Sequence, residues 1–82
     1  DVQGIYHRQV KLYTRVLISG SDAGEFALGS PAIDVAMTLM AMEDYFGYRI
    51  VARDPDVTRV TALRLMRGYA ELATNSRLPE TV

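Results

Sequence analysis

The sequence predicts an all-α domain, a small bundle of three main helices. Apolar side chains recur at spacings of three and four residues in three separate segments, which is the helical period. The one segment that alternates, Tyr48 to Val51, is short and has no second strand with which to pair. A length of 82 residues, with 49% apolar and 23% charged residues, suits one small folded domain. Helices in such a domain must bury their apolar stripes against one another.

The first helix is predicted from about Val2 to Ile18. Its apolar side chains fall on one face: Tyr6, Val10, Tyr13, Val16 and Leu17. The opposite face is basic and is expected to be solvated: His7, Arg8, Lys11 and Arg15. Two glycines and several small polar residues follow between Ser19 and Gly24, and this composition predicts a loop.

The second helix is predicted from Pro31 to about Phe46. Ser30 is a candidate N-cap and Pro31 suits the first helical position, while Asp34 lies in the first turn near the positive end of the helix. The helix is unusually apolar, and Met40 is expected in the core. Gly47 is predicted to end it, which makes Tyr48 to Val51 an extended connection.

The last helix is predicted to begin after Thr58, a plausible cap. The segment from Asp54 to Asp56 is either a turn or a single helical turn, because proline between two aspartates favours both. Residues 75–82 contain Pro79 and almost no apolar side chains, and they are predicted to be a flexible tail. The helical domain is therefore assigned to residues 1–74.

Charge and composition argue against several classes of function. With 9 basic and 10 acidic residues the net charge is −1, which argues against a dedicated nucleic-acid module. The absence of cysteine excludes thiolate metal sites and a cysteine nucleophile, and His7, the single histidine, has no second histidine for a metal or catalytic pair. No apolar run reaches membrane-spanning length, and no signal peptide pattern opens the chain. We expect a cytoplasmic protein that is not an enzyme and binds no metal.

Two segments around the second helix carry an ordered set of residues. Phe26-Ala-Leu-Gly-Ser-Pro-Ala-Ile-Asp34 precedes the apolar stretch, and Met42-Glu-Asp-Tyr-Phe-Gly-Tyr-Arg-Ile50 ends it. Together they resemble the acyl carrier protein family, whose pattern is phenylalanine, leucine-glycine, a polar pair, Asp-Ser-Leu, and a helix ending in Leu-Glu-x-x-Phe-Gly-x-x-Ile. Thr58 and Val60 resemble the start of the family's last helix. The resemblance covers roughly residues 5 to 73 and implies an acyl-carrier-like bundle.

The resemblance implies a specific site for the family's cofactor, 4'-phosphopantetheine. Members carry an acyl or aminoacyl thioester on this arm, which is attached to a serine at a helix N-terminus. Ala32 stands at the position equivalent to that serine, and Pro31 stands where the family has aspartate. A methyl group cannot form the phosphodiester, so the arm is expected to be absent from this chain.

Three explanations for Ala32 are open. An engineered serine-to-alanine change would explain Ala32 but not Pro31. A naturally degenerate carrier explains both residues, because a chain that is no longer modified is also free to place proline there, and we prefer this explanation. The third explanation makes Ser30 the attachment site, against its simpler interpretation as a helix cap.

The resemblance also implies docking of partner enzymes on the second helix. No lysine or arginine occurs from Val16 to Tyr48, and family members present an acidic second helix to basic patches on a synthase, ligase or acyltransferase. The implied partner-binding residues are Asp34, Met37, Thr38 and Glu43. Met37 stands where the family commonly has glutamate, and an acyl chain sheltered between the helices is a further ligand that the family implies.

The expected function is an acyl-carrier-like protein of a fatty-acid, polyketide or related thioester pathway, unmodified or degenerate at Ala32. It would act by docking to partner enzymes. The alternative is a binding or scaffold module that keeps the carrier fold and has no thioester chemistry.

Overall fold

The structure, a computed structural model, describes residues 2–77 and consists there of three helices. These are α1 (Val2–Asp22), α2 (Ala32–Val51) and α3 (Arg59–Thr74). α1 and α3 each pack against α2, whereas no Cα atom of α1 lies within 8 Å of one in α3 over the described range. α2 is therefore the central element of the bundle. The predicted all-α class with three main helices is confirmed.

The core is small and centres on α2. Val35 and Ala36 are completely buried, and Leu17 of α1 packs beside them. The prediction that Met40 is a core residue is confirmed. Partly buried apolar side chains from both ends of the chain surround this centre: Val10, Tyr13, Phe26, Leu28, Ala32, Leu39, Tyr69 and Ala73. In the part of the chain that the structure describes, few side chains are fully enclosed, so each of them contributes a large share of the packing free energy.

All three helices end in the same way, with a Schellman motif built around one left-handed residue. These residues are Gly24 (φ 76°), Arg53 (φ 60°) and Asn75 (φ 50°). In each motif the backbone N–H groups of that residue and the next one donate to carbonyls of the last turn: Gly24 to Ser21, Glu25 to Gly20, Arg53 to Ile50, Asp54 to Arg49, Asn75 to Leu72 and Ser76 to Glu71. Glycine occupies the left-handed position in only one of these three motifs.

α1 is longer than predicted, because it ends at Asp22 and not near Ile18. The first part of the predicted loop is therefore helical. Gly20 is buried in this last turn, and a Cβ atom placed on it would collide with the ring of Phe26. This glycine allows the ring to pack closely and does not interrupt the helix. The chain leaves the helical path at Gly24, whose positive φ suits glycine.

α2 is also longer than predicted, because Gly47 does not end it. The segment Tyr48–Val51, predicted as an extended connection, is a further helical turn. Local contacts hold this turn: the Arg49 guanidinium forms an ion pair with Asp54 and lies 5.8 Å from the centre of the Tyr45 ring. Glycine inside a helix costs only about 1 kcal/mol relative to alanine, a cost that contacts of this kind can offset.

The connection between α2 and α3 agrees with its sequence prediction more closely than the ends of α1 and α2 do. Asp54 opens a turn without helical structure, because its Oδ1 accepts a hydrogen bond of 2.8 Å from the Asp56 N–H. The Thr58 hydroxyl accepts a hydrogen bond of 3.2 Å from the Thr61 N–H, which confirms Thr58 as the N-cap of α3. The predicted tail starts at Asn75, a residue of the α3 cap, and residues 78–82 of that tail lie outside the described residues.

Candidate functional site: the N-terminus and outer face of the central helix

The N-terminus of α2 is built around a proline. Pro31 is the N-cap residue, with φ −55° and ψ 139°, and its carbonyl accepts hydrogen bonds from the N–H groups of Asp34 (3.0 Å) and Val35 (3.2 Å). The expectation that Ser30 caps this helix is wrong, since Ser30 lies one residue too early and no side chain in the described range caps α2. Pro31 is not the first helical residue either, because its extended ψ keeps it outside the helix. Ala32 takes that first position.

The loop that leads into Ala32 is fixed to the end of α3. The Ala27 N–H donates to the Thr74 carbonyl at 3.0 Å, and the Gly29 N–H donates to the Ala73 carbonyl at 3.2 Å. The Asn75 side-chain amide adds a hydrogen bond of 2.8 Å to the Ala27 carbonyl. Loop and helix end therefore form a short section of paired backbone, which sets the position at which α2 begins.

A cleft of about 380 Å³ lies beside Ala32, between the C-terminal part of α1 and the start of α2. Ala32 itself is half-buried and packs against the core cluster, whereas Ser30 is exposed at the rim. Other lining residues are Thr14, Ile18, Ser21, Asp22, Leu28 and Ile33. The amide groups of a helix N-terminus favour anions, so the backbone at this cleft is electrostatically suited to a phosphate group.

Three of the four predicted partner-binding residues lie together on the outer face of α2. Asp34, Met37 and Thr38 are all exposed, and 56% of the Met37 surface is accessible. The Thr38 hydroxyl donates a hydrogen bond of 2.8 Å to the Asp34 carbonyl, which fixes it against the helix. The structure therefore brings a carboxylate, a thioether and a hydroxyl to one surface.

Glu43 does not lie with the other three. It is nine residues beyond Asp34, and nine steps of about 100° place it on the opposite side of the helix. Its Oε2 atom accepts a hydrogen bond of 3.1 Å from the Tyr13 hydroxyl of α1. Partial burial and this carboxylate together raise the pKa of Tyr13.

The neighbouring carboxylate has a similar partner. A hydrogen bond to Asp44 raises the pKa of Tyr6, which also lies on α1. Two tyrosines of α1 therefore engage two adjacent carboxylates of α2, and this side of the helix takes part in packing between helices. The sequence offered a signal for these contacts, because Tyr6 and Tyr13 are seven residues apart and so share a face of α1.

No group of three potential metal ligands occurs among residues 2–77, and none of the helices there is long and apolar enough to cross a membrane. Comparison with known proteins gave no family: the chain matches no protein-family model, no curated protein and no solved structure.

Sequence reasoning missed the role of Asn75 in positioning the site. Asparagine tolerates the left-handed conformation, and an asparagine directly after an apolar helical stretch is a known sign of a helix end. The predicted tail begins at this residue, directly after the last residue of α3. No local sequence pattern predicts the hydrogen bond of Asn75 to Ala27, which is 48 residues away.

Proposed function

We propose that this chain is an acyl-carrier-like protein of a fatty-acid, polyketide or related thioester pathway, which acts by docking to partner enzymes and not by catalysis. The proposal is carried by Ala32, the first residue of the central helix, beside a cleft at the accessible end of the bundle. The same residue stands at the attachment position implied by the resemblance of the sequence to acyl carrier proteins. A cytoplasmic location, expected from the sequence, belongs to the same proposal.

The cofactor of that family does not fit this chain at residue 32. The Ala32 side chain is a methyl group and offers no oxygen to a phosphodiester, although the backbone around it is suited to an anion. We therefore propose a carrier that is unmodified at this site. Ser30 has a hydroxyl and is exposed, but it precedes the helix by two residues and lies on the loop side of Pro31.

The proposed docking surface for a synthase, ligase or acyltransferase is the exposed group of Asp34, Met37 and Thr38. A carboxylate next to an adaptable thioether suits a partner surface that combines a basic group with an apolar patch. Glu43 contributes less to this surface than expected, because it faces the other way and bonds to Tyr13. The two clefts at α1 are candidate shelters for the acyl chain that the family implies.

Incubation with coenzyme A and a broad-range phosphopantetheinyl transferase, followed by intact-mass measurement, tests the proposal. We expect no mass gain for the wild-type chain, because residue 32 lacks an acceptor oxygen. An Ala32→Ser variant should gain the mass of one phosphopantetheine group, mapped by peptide fragmentation to residue 32. Serine is well tolerated at the start of a helix, so this variant should retain the circular dichroism spectrum of the wild type.

A Ser30→Ala variant is the matched control. A mass gain in the wild-type chain that disappears in Ser30→Ala would move the attachment site to Ser30 and contradict our assignment of Ala32. No gain in a folded Ala32→Ser variant would contradict the carrier proposal. It would favour the alternative, a binding or scaffold module with a carrier-like fold.

A further inference from the structure

A second, larger groove lies between α1 and α2, on the flank that faces away from α3. Its volume is about 550 Å³. Val10 of α1 lines it together with Ile33 and Met37 of α2, of which 51% and 56% are exposed. Val35 and Leu39, which pack into the core with Tyr69 of α3, point to the other side of α2. Within residues 2–77 no helix covers this apolar groove.

The rim of this groove is basic. His7, Lys11 and Arg15 line its α1 side at intervals of four residues, and no carboxylate is among its lining residues in the described part of the chain. The protein as a whole has a net charge of −1, so this concentration of positive charge is local. An occupant with acidic side chains would be attracted to this rim and would be oriented by it.

The shape of the groove favours a helical occupant. Its lining extends along α1 from Gln3 to Arg15, which is about 18 Å at a rise of about 1.5 Å per residue, and a helix of about three turns has that length. The two cationic side chains, Lys11 and Arg15, are four residues apart, which is about 6 Å along the helix. A single carboxylate headgroup could pair with only one of them at a time. A helix with acidic residues at intervals of four could meet both.

We propose that this groove binds an acidic amphipathic helix of a partner protein. The apolar face of that helix contacts Val10, Ile33 and Met37, and its carboxylates face Lys11 and Arg15. The bound helix takes the place of a fourth helix and covers apolar surface that the three-helix bundle leaves accessible. This inference shares the groove and Met37 with the proposed carrier function, but it adds a role for Lys11 and Arg15, which that function does not use. Charge-reversal variants at Lys11 and Arg15 therefore separate the two proposals.

A synthetic peptide of about 18 residues tests the proposal, a length at which an isolated helix can form. The peptide carries leucines at helical spacing, glutamates on both flanks and a fluorescent label, and its binding is followed by fluorescence anisotropy at low and at physiological salt. We expect saturable binding that weakens as salt increases. A second peptide with lysine in place of every glutamate should bind at least about tenfold more weakly, since attraction becomes repulsion.

Two double variants with the same change of charge give the matched comparison. Lys11→Glu with Arg15→Glu reverses the rim and should weaken binding of the acidic peptide by about tenfold. Arg59→Glu with Arg64→Glu makes the same change on exposed positions of α3 and should leave binding within about twofold. If the rim variant fails to fold, Met37→Gln replaces an exposed floor residue without a change of charge and should weaken binding about threefold.

Several results would overturn the proposal. These are equal binding of both peptides, equal effects of the two double variants, or no binding of the acidic peptide to the folded wild type. A homodimer in sedimentation experiments that dissociates in the rim variant would assign the groove to a second copy of this chain. Displacement of the bound peptide by vesicles of anionic phospholipid, lost in the rim variant, would assign it to a membrane surface.

Discussion

Replacing Gly20 and Gly47 by alanine, one at a time, should change the stability of the bundle in opposite directions. Both glycines lie inside helices, where alanine is favoured by about 1 kcal/mol. At Gly47 the added Cβ would meet no atom of residues 2–77 within 4 Å apart from its chain neighbours and the backbone of its own helix, so the full gain is expected. For a domain of this size it corresponds to an increase in Tm of about 4–8 °C.

At Gly20 the same methyl group meets the Phe26 ring. The Cε1 and Cζ atoms of the ring would overlap with it, and Cδ1 would be 3.3 Å away. Phe26 packs against the core cluster, and the next residue, Ala27, is hydrogen-bonded to the end of α3, so the ring has little room to move. Overpacking of this kind costs about 1–3 kcal/mol, which offsets the helix gain and leaves a net loss of up to about 2 kcal/mol.

Thermal and urea unfolding followed by far-UV circular dichroism would measure both effects. We expect Gly20→Ala to be less stable than Gly47→Ala by about 1–3 kcal/mol. A double variant, Gly20→Ala with Phe26→Leu, should recover part of the loss, because leucine lacks the ring atoms that collide. Equal stabilisation by the two alanines would refute the close packing of Phe26 on α1.

Two further predictions concern helix ends and turns. Thr58→Ala should lower the free energy of unfolding, measured in urea titrations, by about 1 kcal/mol through loss of the cap. Ser30→Ala should change it by less than about 0.5 kcal/mol, because Ser30 caps no helix. Comparable losses in the two variants would contradict the assigned caps. The Asp56 N–H and the Arg49 side chain lower the pKa of Asp54, so its contribution to stability is present above the ordinary pKa of aspartate and is lost as pH falls through the lowered value. Urea midpoints measured from about pH 6 to 2 should therefore fall less steeply in Asp54→Asn than in the wild type, and identical slopes would argue against this pair.

Local signals in the sequence were sufficient where the physical cause is itself local. The hydrophobic period predicted three helices, and Thr58 was correctly predicted as a cap because its hydroxyl bonds to an N–H three residues away. Met40 was correctly placed in the core, since it lies on the most apolar helix of the chain. The N-cap of α2 was misplaced by one residue, because both Ser30 and Pro31 are compatible with a helix start.

Glycine was the least reliable signal. Gly20 and Gly47 are helical, and two of the three helices are followed by a left-handed residue other than glycine, Arg53 or Asn75. What holds these residues in the left-handed conformation is the pair of backbone hydrogen bonds in each cap. At Asn75 a side-chain hydrogen bond to the loop adds to them.

The candidate site was predicted in part. Ala32 was expected at the entrance of the second helix and is its first residue, and Asp34, Met37 and Thr38 were expected on its surface and are exposed. Glu43 is exposed too, but its orientation follows from Tyr13, a partner 30 residues away.

By itself, the sequence determined that the described chain is helical, how many helices it has and which of them is the most apolar, because these properties follow from residues a few positions apart. The ends of α1 and α2 depend on contacts only a few residues apart, such as Gly20 with Phe26 and Arg49 with Asp54, which the rule for glycine does not include. The packed bundle was needed to show which carboxylates face α1 and that a basic-rimmed groove stays open beside Met37. These two features depend on contacts between segments distant in sequence, whose free energies no local pattern records.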